Sequence, residues 1–179
     1  MPALKPRNSN AKMGLGMLLA MWLLIFALLA WFFSGVLDHQ NNPNQTVSSQ
    51  YLSDQVVEVV LQRNRYGHYL STGIINKKTV EFMLDTGASG VVVPGYLAAE
   101  LGLKKGQPVM ARTANGTIKA YSARLDRVSI GDISLQDVKA LINPDEKSEI
   151  ILLGMSFLKQ IEFTQRGDTL ILRQYLKPR

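Results

Sequence analysis

The sequence predicts an all-β domain, a closed or nearly closed β-barrel with one short helix, preceded by a single transmembrane helix. Three observations predict it. Residues 13–37 carry no charged side chain and are dominated by Leu, Ala, Met, Phe and Trp. From residue 56 onward, short apolar runs alternate with turn signals built on Gly, Asn, Asp and Pro, the pattern of a barrel or sandwich. Only residues 96–101, Tyr-Leu-Ala-Ala-Glu-Leu, gather strong helix formers within that region.

Composition bounds the chemistry. The chain has 179 residues, 46% hydrophobic and 19% charged, which suits a folded chain rather than a disordered one. Cysteine is absent, which excludes disulfides, thiolate catalysis and zinc–cysteine sites. The only histidines are His39 and His68, too few for a His-built metal centre. The formal net charge is +6.

At about 1.5 Å per residue, a helix over 13–37 covers roughly 37 Å and crosses a bilayer core of about 30 Å with some tilt. Lys5, Arg7 and Lys12 precede it and Asp38 follows. The positive-inside rule therefore predicts residues 1–12 as a cytoplasmic tail and everything after 37 as exported, into the periplasm of a Gram-negative cell. A cleaved signal peptide fits less well. Its apolar core is shorter and ends in small residues, whereas this run ends Trp31-Phe32-Phe33-Ser34-Gly35-Val36. Setting the three leading cations aside leaves 17 basic residues against 14 acids. No basic cluster interleaved with aromatics occurs, so no nucleic-acid partner is expected.

Residues 38–50, DHQNNPNQTVSSQ, read as a flexible linker, with the folded domain over 51–179. Within it, 56–61 is a Val-rich strand. Strands 68–75 and 79–84 flank a polar Asn-Lys turn as a hairpin. Residues 90–94 form a compact Val strand, and the 96–101 helix ends at Gly102. Strands 109–113 and 117–125 flank Asn115-Gly116, a strong hairpin signal because both residues tolerate positive φ. Strands 127–130 and 135–142 flank Gly131-Asp132. Residues 150–153 are wholly apolar and end at Gly154, 156–160 suit one helical turn, and 161–164 with 169–173 form a last hairpin.

One stretch carries chemistry. The strand Glu81-Phe82-Met83-Leu84 ends in Asp85-Thr86-Gly87-Ala88. A carboxylate closing an apolar strand is costly to bury and calls for a reason. Asp-Thr-Gly is good turn chemistry. Alternatively, Gly87 lets the backbone fold tightly around the carboxylate and aim N–H groups at it, with the Thr86 hydroxyl locking the loop.

Leu84-Asp85-Thr86-Gly87-Ala88 resembles the active-site signature of the retropepsin-like aspartic proteases. Ile150-Ile151-Leu152-Leu153-Gly154 is similar to that family's apolar strand and glycine behind the catalytic loop. Asn115-Gly116 lies where the family places its flap, and the anchor with Thr113-Ala114-Asn115-Gly116 is similar to bacterial membrane-anchored members. The resemblance spans residues 56–173. It implies a retropepsin-like barrel, Asp85, Thr86 and Gly87 as catalytic residues, and Ala88, Asn115 and Gly116 at the substrate. It also implies a peptide or protein substrate and neither cofactor nor metal.

Asp-Thr-Gly occurs once; Asp168-Thr169-Leu170 lacks the glycine. Two close carboxylates share a proton, one taking a proton from water while the other polarises the peptide carbonyl. The second Asp85 must therefore come from another copy in a two-fold homodimer, whose Thr86 residues interlock in the family. Retroviral members carry an acid where this chain has Ser89 and an Arg where it has Met155. Ala88 lacks the hydroxyl some relatives have, which implies activity nearer neutral pH. Gly154-Met155-Ser156 matches part of a nucleophile elbow but lacks its second glycine. A membrane-tethered binding module on the same fold is the alternative to an enzyme.

Overall fold

The structure, a computed structural model, describes residues 9–113 and 116–176. The chain divides into two compact units at Asp38 and His39. The first is occupied by α1 (Ser9–Asn41), whose last residues enter the second unit. The most apolar 18 residues within Gly14–Asn41 have a mean hydropathy of 2.4, and none of them is buried. Trp22, Phe26 and Trp31 are all exposed. A helix apolar on every face is, by length and composition, long and apolar enough to cross a bilayer.

The second unit holds two sheets. Strands β1 (Ser49–Ser53), β2 (Val56–Gln62), β11 (Thr169–Tyr175) and β10 (Glu162–Arg166) form an antiparallel sheet in that order. The larger sheet runs β3 (Leu70–Ile75), β4 (Lys78–Leu84), β9 (Ile150–Leu153), β5 (Val91–Pro94), β8 (Ile133–Asn143), β7 (Gly116–Ile130) and β6 (Pro108–Thr113). Strand β3 also meets β7 at Ile74↔Ser129 and Ile75↔Val128, which closes a ring. Closure takes β3 out of an edge position, while β6 stays at the edge of that sheet. Inward residues of both sheets, among them Leu61, Phe82, Leu125, Ile151 and Leu172, build one core with Phe157.

The short helices are α2 (Gly95–Glu100) and α3 (Met155–Leu158). The 75–78 turn closes with Asn76 and Lys77 both at positive φ. Asn76 stabilises it by accepting from the Arg127 N–H at 3.2 Å and donating to the Leu101 carbonyl at 3.3 Å.

Three expectations change. Strands 117–125 and 127–130 are one strand, β7, because Asp126 simply faces solvent between buried Leu125 and Val128. His68 lies outside β3 and is exposed. Residues 42–50 are docked rather than a free tether. Asn42 and Asn44 are buried, and β1 begins at Ser49. Asn44 donates to the carbonyls of Gln62 (2.9 Å) and Leu70 (2.6 Å) and accepts from the Gln62 N–H (2.8 Å). Its own carbonyl accepts from the Thr72 N–H. The polar composition that reads as a linker supplies side chains that complete the main-chain bonds of two strand ends.

Candidate active site

The loop around Asp85 is set by the crossing of β4 and β9. These strands pair in parallel, with Leu84 opposite Leu153, and the Asp85 N–H continues the ladder to the Leu153 carbonyl at 3.2 Å. The Leu84 N–H donates to the Tyr69 carbonyl at 3.0 Å. Strand β4 is thus held from both sides up to the residue where it ends. The chain then turns: the Ala88 N–H donates to the Asp85 carbonyl at 3.3 Å, and the Gly87 N–H donates to Asp85 Oδ1 at 2.8 Å. A Cβ at Gly87 would lie 3.1 Å from that same oxygen, so glycine is what lets the backbone approach the carboxylate.

Asp85 and Ala88 are half-buried, while Thr86, Gly87 and Ser89 are exposed. One face of the loop is therefore seated on the barrel and the other is open. A carboxylate in this position keeps one oxygen fixed by the main chain and remains accessible to an approaching group.

The back of the loop is braced by the α3 entry. The Met155 N–H donates to the Ala88 carbonyl at 2.8 Å. A Cβ at Gly154 would come within 2.5 Å of the Ala88 carbonyl oxygen and closer still to that of Gly90. Ser156, buried, ties the loop exit: its Oγ accepts from the Val91 N–H at 3.0 Å and donates to the Lys139 carbonyl at 2.7 Å. Both functions of that hydroxyl are thereby used, which removes the nucleophile-elbow reading of Gly154-Met155-Ser156. Sequence reasoning missed this brace. Its signal was a lone hydroxyl within the apolar run 150–158, since a buried hydroxyl needs a partner.

Of the residues singled out from sequence, Asp85, Thr86, Gly87 and Ala88 share this loop. Gly116 begins β7 in the β6–β7 hairpin, with φ of 113° and the Thr113 hydroxyl donating to its carbonyl at 2.8 Å. Asn115 lies outside the described residues. No hydrogen bond joins Gly116 to the Asp85 loop among the described residues. Asp168 sits in the β10–β11 turn, paired with Arg63, in the other sheet. No group of three or more His, Asp or Glu side chains that could hold a metal converges among the described residues. The Tyr69 hydroxyl is buried without a hydrogen-bond partner among them.

A family profile described as "gag-polyprotein putative aspartyl protease" matches residues 71–160, from the start of β3 past α3. The crystal structure of a retropepsin-like aspartic protease from Rickettsia conorii superposes with a TM-score of 0.57 at 29% identity. The match covers 75% of this chain and 98% of that one. The chain belongs to the retropepsin-like aspartic protease family. It is 37% identical to an uncharacterized protein of Sinorhizobium sp over 120 residues, 65% of this chain and 52% of that protein. The retropepsin-like chain thus spans about half the length of that relative. An uncharacterized protein of Rickettsia prowazekii (strain Madrid E) is 31% identical over 162 residues, 86% of this chain and 69% of that protein.

Proposed function

We propose that this chain is a membrane-anchored aspartic endopeptidase that hydrolyses peptide bonds through water activated by two Asp85 carboxylates, one from each subunit of a homodimer. The observation that carries the reading is the Asp85 loop: a half-exposed carboxylate with one oxygen held by the Gly87 N–H, backed by the close approach of Gly154. The sequence holds a single Asp-Thr-Gly, so symmetry supplies the second carboxylate.

Two such groups side by side share one proton. The ionised Asp85 takes a proton from the water between them as its oxygen attacks the scissile carbonyl carbon. The protonated Asp85 hydrogen-bonds the carbonyl oxygen and gives up its proton to it. The tetrahedral intermediate then collapses: the Asp85 that took the water proton passes it to the leaving nitrogen as the C–N bond breaks, and the other Asp85 takes back a proton from a hydroxyl of the gem-diol, so the pair again shares one proton. Gly87 keeps each carboxylate oriented, and Thr86 joins the two loops across the axis. Ala88 and the hairpin tip at Asn115 and Gly116 hold the peptide, and closure of that hairpin excludes water. Residues 13–37 anchor the chain in a membrane, with the N-terminus cytoplasmic and the catalytic domain exported.

The test compares residues 39–179 with the Asp85→Asn variant on unfolded casein. Asparagine keeps the size and the acceptor for Gly87 but does not ionise. Cleavage is expected to fall by about 10²–10⁴-fold or more with the fold retained by circular dichroism. Equal cleavage by both proteins, or no cleavage between about pH 3 and 8 by a demonstrated dimer, sinks the reading and leaves a binding module.

A further inference from the structure

We infer that the substrates are membrane-proximal: segments of membrane-embedded or membrane-bound proteins exposed close to the bilayer surface. This rests on the reading above and adds the substrate class to it. The inference comes from how the chain leaves α1.

The helix persists through Asp38, His39 and Gln40 to Asn41. Gln40 accepts from Arg65 at 3.2 Å, and the Asn41 carbonyl accepts from Asn64 at 2.9 Å. The next residue, Asn42, is buried, donates to Glu81 Oε1 at 2.7 Å and accepts from the Asn44 N–H at 2.9 Å. Asn44 then completes the main-chain bonds of β2 and β3. Beyond it, the Ser49 hydroxyl accepts from the Asp132 N–H at 2.8 Å and β1 adds to β2. No run of unattached residues separates the helix from the domain.

The attachment point lies on the catalytic strand. Glu81 is in β4, which ends at Leu84 just before Asp85. Four residues of extended chain measure about 13 Å. The last apolar residue of the span, Leu37, is only five residues before Asn42. Five residues of chain, the Asn42–Glu81 hydrogen bond and four residues of β4 together keep Asp85 within about 40 Å of Leu37, whatever angle the helix takes. A flexible tether of the same composition would let the domain roam; the docked one limits what the cleft reaches.

The test uses the full chain in lipid vesicles. Two single-span reporters present one peptide, a casein segment spanning a bond the enzyme cuts, on rigid helical spacers. One site stands about 20 Å and the other about 90 Å from the bilayer, at about 1.5 Å per spacer residue. The same peptide free in solution is the third substrate. The near reporter is expected to be cut at least tenfold faster than the far one, with the free peptide cut and the Asp85→Asn chain inert. Inserting about 80 Gly/Ser residues between Asp38 and His39 adds an r.m.s. reach of about 50 Å. That insertion leaves the docked residues in place and is expected to raise cutting of the far reporter severalfold relative to the near one. Equal rates for near and far reporters with the uninserted chain overturn the inference while leaving the protease reading intact. Failure to cut even the free peptide overturns the protease reading, and the inference with it.

Discussion

Replacing Gly154 by alanine tests whether the Asp85 loop is held by main-chain packing. The added methyl would lie 2.5 Å from the Ala88 carbonyl oxygen and nearer to that of Gly90, and 2.9 Å from the Gly90 carbonyl carbon. All three are backbone atoms, so no rotamer change relieves the overlap. An ordinary carbon–oxygen contact needs about 3.3 Å, so the loop or the α3 entry must shift by on the order of 1 Å. Overpacking of this kind costs about 1–3 kcal/mol. A displacement of about 1 Å at a reacting group costs about 10²-fold in rate. Gly90→Ala is the matched control. Its Cβ would meet nothing closer than Ser156 Oγ at 3.7 Å, an ordinary contact. Thermal melting and casein cleavage of the two variants should separate: Gly154→Ala melts several degrees lower and loses about two orders of magnitude in rate, and Gly90→Ala stays near wild type. The reasoning is refuted if Gly154→Ala matches wild type in both, or if Gly90→Ala is equally damaged.

Asn44→Ala strands the Gln62 N–H and the Gln62 and Leu70 carbonyls and should cost about 2–4 kcal/mol by urea unfolding. By the same logic, a domain beginning at residue 51 should melt below one beginning at 39, and equal melting temperatures would contradict the docked strap. Ser156→Ala removes the acceptor for Val91 and the donor to Lys139; about 1–3 kcal/mol of stability and part of the cleavage rate should go with it, measured side by side. Specific activity of residues 39–179 should fall on dilution, while the full chain in vesicles keeps its activity at the same bulk dilution. An activity independent of concentration in the soluble form would argue against a weak dimer.

Much of the architecture was legible because it rests on local signals. Alternating apolar runs marked β2 to β5 and β8 to β11 within a residue or three. The Asn76-Lys77 and Gly167 turns sit where short polar runs interrupt them. The Asp85 loop was legible for a different reason: its fold depends on residues adjacent in sequence, with Gly87 serving Asp85. What stayed hidden depends on distant partners. Asn44 reads as linker because its value lies in the main chain of Gln62 and Leu70. Ser156 serves Val91 and Lys139, from two other strands. Ring closure by β3 and β7 joins strands about fifty residues apart, which no local period encodes.

The two departures from the retroviral pattern have a common physical sense. Met155 is half-buried and packs against the core, and its contribution to the loop is the N–H donated to Ala88. Any residue but proline supplies that N–H, so the brace does not need the arginine that viral relatives carry at this position. Ser89 is exposed on the same loop. With no acid there, an arginine at 155 would be a half-buried charge beside apolar side chains and without that partner, which is costly. Loss of one partner thus favours loss of the other, and the geometry around Asp85 survives both. In the anchored dimer proposed above, what is lost is attraction between subunits, and confinement to a membrane offsets that loss. Confining two copies by short tethers raises their effective concentration toward the millimolar range. Against a micromolar bulk concentration that amounts to about 4 kcal/mol of association free energy, more than an exposed ion pair contributes. On that proposal, an anchored chain can dispense with a charge contact of the kind that helps join subunits in the viral members.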